Sequence, residues 1–137
     1  MMSLPDLQKP PRGTARAARV ARRTQEEQRE RRAKTQARKR DGYRCRWPKC
    51  DCRQRRDRIE VAHLRSKSLG GANEATNLIS VCLSVHQGSH SLHSQDKRIM
   101  PLTDAGANGP VIFYARNTDG DWYLVARERS VGLLETE

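Results

Sequence analysis

The chain has 137 residues and a formal net charge of +11, with 35% hydrophobic and 31% charged residues. That length and composition suit one modest domain with a small core. No run approaches the about 18 consecutive apolar residues of a membrane helix, and the N-terminus lacks the apolar stretch of a secretory signal, so a soluble cytoplasmic protein is expected.

The charge is concentrated. Residues 1–40 hold thirteen basic and four acidic side chains, a net +9, which leaves +2 for residues 41–137. A basic arm gains affinity for a polyanion by releasing condensed counterions. Double-stranded DNA is the expected partner, with RNA also compatible. An anionic membrane suits the arm less well, because it has almost no large apolar side chains to insert. The alternative is a solvated tail that charge keeps soluble. Pro5, Pro10, Pro11 and Gly13 predict an extended or disordered stretch over 1–13. Residues 14–40 are rich in Ala, Arg, Gln and Glu, which predicts a helix. Glu27 with Arg31 and Glu30 with Lys34 stand at the favourable i,i+4 spacing. No continuous apolar stripe runs along it, so the helix is expected to be exposed or to form fully on a partner. Asp41–Gly42 is a breaker, and the boundary between the arm (1–40) and a central domain (41–100) is placed there.

In the central domain, Asp57–His63 reads as a strand because Ile59 and Val61 alternate. The stretch from Leu69 to Asn73, with its glycine pair, reads as a loop. Asn77 precedes LISVCL, a short buried strand or the start of a helix, and 83–93 could include a short helix that Gly88 weakens. Residues 101–137 read as a β-hairpin appendage packed on the domain. VIFYAR and WYLVARE are its strands, and Asn117–Asp121 is its turn. Phe113, Tyr114, Trp122 and Tyr123 are read as packing residues in preference to base-stacking ones. The whole is of α+β class.

Four histidines, His63, His86, His90 and His93, fall within 31 residues, and none occurs elsewhere. Clustered beside cysteines, they point to a metal or catalytic site. The segment from Ile59 to His90 resembles the HNH motif of the ββα-metal nucleases, over roughly residues 43–100. His63 matches the first motif histidine, Gly70–Gly71 the loop, Asn77 the central asparagine, His86 the helix ligand and His90 the last histidine. Features further on resemble small HNH proteins of tailed phages and prophages. The resemblance implies a metal-dependent DNA endonuclease. His63 would activate water, and Asn77 would orient His63 or pin the loop. His86 with His90 or His93 would hold one divalent cation (Mg, Mn, Ni or Zn). It also implies a part in phage DNA packaging beside a terminase. One departure stands out: Ala62 occupies a position where many such enzymes carry a further ligand. Glu60, Asp57 or water could take its place, or the site is weakened. The alternative reading is a non-catalytic zinc-containing DNA-binding module.

Cys45, Cys50, Cys52 and Cys82 are the four cysteines. The resemblance implies a structural zinc on two CxxC pairs, but here the first group is C-x4-C-x-C and the second has Cys82 without a partner. A four-sulfur zinc site, a Cys3His variant and free reduced thiols all remain open. The close spacing of Cys50 and Cys52 argues against both binding one ion. Arg53, Arg55, Arg56 and Arg58, with Arg65 and Lys67, are placed to meet phosphates without reading sequence. Oligomeric state stays open, although one site per small domain would nick a single strand.

Overall fold

The computed structural model describes residues 14–88 and 96–135. The extended stretch expected over 1–13, and the second half of the helix expected over 83–93, lie outside them. The described residues form an α+β fold with three α-helices and two antiparallel sheets.

Helix α1 spans Thr14–Arg40, 27 residues. Its strong helix formers carry it, and it ends where Gly42 turns left-handed at φ +66°. The Gly42 and Tyr43 amides then donate to the carbonyls of Lys39 and Arg38, and Arg38, Lys39 and Arg40 meet the negative end of the helix dipole. Only Ala33 and Ala37 are buried along it. Their small side chains let the helix lie close against Val61 and Leu78. Short helix α2 spans Cys52–Arg55.

Strands β1 (Ile59–His63) and β2 (Leu78–Cys82) form a two-stranded hairpin, with Ile59 opposite Cys82 and His63 opposite Leu78. The run LISVC is buried at every position. Between the strands the chain makes a tight loop. A Cβ on Gly71 would stand 1.8 Å from the Arg65 carbonyl oxygen, so only glycine fits without moving backbone. Asn77 closes this loop. Its Nδ2 donates to the Arg65 and Ala72 carbonyls and its Oδ1 accepts the Arg65 amide. Helix α3, Leu83–Gly88, follows β2 directly.

The second sheet has four strands in the order β3-β4-β5-β6: Lys97–Pro101, Val111–Arg116, Trp122–Ser130 and Leu133–Glu135. The expected hairpin is its centre. β3 and β6, short and weakly alternating, have no counterpart among the expected strands. The inner face of this sheet supplies Ile99, Val111 and Phe113 to the main core, where they meet Leu64, Ile79, Val81 and Val85. The expected ββα unit is therefore not a separate fold: its hairpin is packed between a long basic helix and a four-stranded sheet. Among the described residues, no helix is long and apolar enough to cross a membrane.

Candidate metal centre

Side chains of metal-ligand type converge once among the described residues, and they are thiols. The Sγ atoms of Cys45, Cys50, Cys52 and Cys82 all lie within 4.8 Å of one another. Cys45 and Cys50 come from the segment between α1 and α2, Cys52 opens α2, and Cys82 ends β2. The chain turns sharply to gather them. Tyr43, Lys49 and Arg56 all adopt left-handed backbone angles, φ +57°, +55° and +57°. Each such residue costs about 1–2 kcal/mol, and Lys49 bears that strain immediately before Cys50. The turn at Lys49 and the helical start at Cys52 bring Cys50 and Cys52 together on one centre. This corrects the expectation that their close spacing keeps them apart.

The neighbouring residue fixes the segment. Arg46, 7% exposed, donates to Glu128 Oε1 at 2.5 Å and to the carbonyls of Ala107 and Gly109 at 2.6 and 3.2 Å. Its amide donates to the Ser80 carbonyl at 3.0 Å. The thiol-bearing turn is thereby tied to both sheets. Within the centre, the Cys82 amide donates to Cys45 Sγ at 3.3 Å, and Cys50 Sγ stands 3.6 Å from Cys82 Sγ. Burial pushes the Cys45 thiol well above its ordinary pKa, against the pull of the Cys82 and Trp47 amides. A bound cation inverts that preference, because it deprotonates the thiols that coordinate it.

The donor set fits a closed tetrahedral ion. Zn–S bonds of about 2.3 Å place neighbouring sulfurs about 3.8 Å apart, close to the Cys50–Cys82 separation of 3.6 Å. A cavity of about 920 Å³ adjoins the centre, lined in part by Arg44, Arg53 and Arg56 beside Cys45, Cys50 and Cys52.

The histidines are arranged otherwise. His86 Nδ1 donates to Glu60 Oε2 at 2.6 Å, and Arg58 holds the other oxygen of that carboxylate at 2.7 Å. Both interactions hold the Glu60 carboxyl below its ordinary range, Arg58 the more strongly. His63 Nε2 donates to Asn73 Oδ1 at 2.9 Å. Asn77 serves the loop backbone and does not meet His63. Ala62 is buried, 4% exposed, in the main core. His90 and His93 lie outside the described residues. Among the described residues, no group of three potential ligands forms around a histidine. Compared with protein-family models, with curated proteins and with solved structures, the chain has no match.

These findings overturn the HNH reading. The arrangement that could hold a metal ion is the four-cysteine cluster, not a histidine centre built on His86. The expected nuclease and hydrolase activity and the catalytic divalent cation lose the histidine centre on which they rested, and the phage and terminase association loses the resemblance that implied it. The four histidines misled because they cluster within 31 residues in the order of the HNH motif. The stronger signal was Cys82 at the end of a wholly buried run, which delivers its sulfur to a fixed place.

Among the basic candidates, Arg53, Arg56, Arg58 and Arg65 are exposed. Arg55 belongs to α2. Lys67 is engaged with Glu30 of α1 at 2.9 Å.

Proposed function

We propose that the protein is a non-catalytic DNA-binding module whose small fold is closed by a structural zinc ion on Cys45, Cys50, Cys52 and Cys82. The convergence of four sulfurs from three separate elements carries the reading. A closed four-ligand shell leaves no position for water or substrate, so the ion's work is to hold the fold. The DNA half rests on charge. Arg16, Arg19, Arg22, Arg23 and Arg29 stand exposed along residues 14–29 of α1, where they can meet the phosphates of a duplex without reading its bases.

Metal analysis of the purified chain is expected to give one zinc per molecule. Removing it with a chelator should lower Tm by roughly 10 °C or more, since a loss of about 3 kcal/mol does that in a domain of this size. The zinc-loaded protein should retain a random-sequence duplex at low salt and leave it uncut. Unchanged melting without metal would refute the zinc centre, and no duplex retention at low salt would refute the DNA half.

A further inference from the structure

The outer face of the four-stranded sheet carries chemistry that neither the thiols nor α1 uses. Since β3 and β4 turn Ile99, Val111 and Phe113 into the core, alternation turns Arg98, Tyr114 and Arg116 outward. The register sets Arg98 opposite Tyr114, Tyr114 opposite Leu124, Arg116 opposite Trp122 and Ile112 opposite Arg127, so all share that face. Across β3, β4 and β5 it holds three arginines and no carboxylate. The first carboxylate in register is Glu135 of β6, opposite Arg127.

Two of the guanidinium groups gather on one ring. The Arg98 guanidinium carbon lies 4.6 Å from the Trp122 ring centroid and that of Arg116 lies 5.8 Å from it. The indole attracts each cation, but the two cations repel one another, and an anion between them relieves that. Arg98 Nε is also buried with no partner among the described residues. A charged side chain held against that penalty is not explained by packing, because an uncharged one would cover Trp122 as well. Trp122 and Tyr114 are themselves partly exposed. Flat π surfaces on an open sheet suit unpaired bases, since the bases of a duplex are already stacked on both sides.

We infer that this face binds single-stranded DNA, with phosphates on Arg98, Arg116 and Arg127 and bases against Trp122 and Tyr114. It is a second nucleic-acid site beside the duplex-binding arm and does not depend on that arm's function.

The test is titration of the full zinc-loaded chain with an oligothymidylate, followed by tryptophan fluorescence. Trp122 is one of two tryptophans, and a stacked base quenches it. The double variant Arg98→Ala with Arg116→Ala is expected to weaken oligothymidylate binding about tenfold or more. Duplex affinity should stay within about twofold, because the arm is a separate site. Arg127→Gln, at an exposed position, removes the charge without setting a second carboxylate opposite Glu135, and should weaken single-strand binding as well. Undiminished single-strand binding in both variants overturns the proposal. So does a parallel fall in duplex affinity, which would make the face a surface for duplex phosphates. Failure of the wild type to bind duplex, with the single-strand effects intact, would remove the arm's proposed role and leave this site standing.

Discussion

Arg46 and Glu128 are a costly pair to bury. They are 7% and 2% exposed, and the desolvation of two ions is offset only when every donor and acceptor is met. Here they are met: Glu128 accepts from Arg46 and from the Val111 amide, and Asp41 accepts from Arg40, Arg46 and the Ser80 amide. Glu128→Ala takes from the buried guanidinium one of its two carboxylates, leaving Asp41 and two carbonyls, and leaves the Val111 amide unmet; denaturant unfolding is expected to show a loss of about 3 kcal/mol or more. A surface carboxylate behaves differently. Glu30 reaches Lys67 at 2.9 Å and Lys34 at 3.2 Å, and the Lys67 hydrogen bond chiefly holds its carboxyl below the usual range. Its folded pKa is depressed, so its contribution is complete above the ordinary carboxylate pKa and fades as pH falls through the lowered value. The pair is partly exposed and worth under about 1 kcal/mol. Stability measured from neutral to acid pH should therefore fall slightly less in Glu30→Gln than in the wild type, and an identical acid limb would refute the assignment.

At the scale of elements, α1 has two halves. Ala33 and Ala37 anchor the second half on the hairpin. Helical periodicity carries the same stripe into the first half, where it passes Glu26 and reaches Arg22 and Arg19. The stripe thus changes from packing to charge along one helix. Truncation of residues 1–29 should leave the fold in place while removing five exposed arginines of α1. With Lys9 and Arg12 also removed, the slope of log affinity for duplex against log salt should then become shallower by up to about 6 units, near 0.9 for each phosphate no longer neutralised. An unchanged slope would show that the arm does not touch the duplex. The helix, β1 and the strands of VIFYAR and WYLVARE could be read from the sequence because each has a local signal, either helix formers in series or β-branched and aromatic residues. β3 and β6 could not, because KRIMP and LLE become strands only through the neighbours they pair with.

For the whole molecule, the readable and unreadable parts divide along the same line. A basic arm and an α+β class are properties of composition and local pattern. A metal centre is a property of long-range geometry. Cys45 and Cys82 are 37 residues apart, and no spacing rule joins them when three left-handed residues do the turning. Buried Arg46, which ties the turn to residues 107, 109 and 128, gave no sign in a chain so rich in exposed arginine.

That separation also bears on how the chain reaches this fold. An ion on Cys45 and Cys82 closes a ring around the entire β1–β2 hairpin, and the entropy of closing it is lost before the hairpin's core packing compensates. A newly made chain that captured the proposed ion early would search within a short tether, while one that captured it late would first have to find the hairpin unaided. The rate of maturation would then follow the supply of the exchangeable ion, and each new chain would compete for it with the other thiols around it.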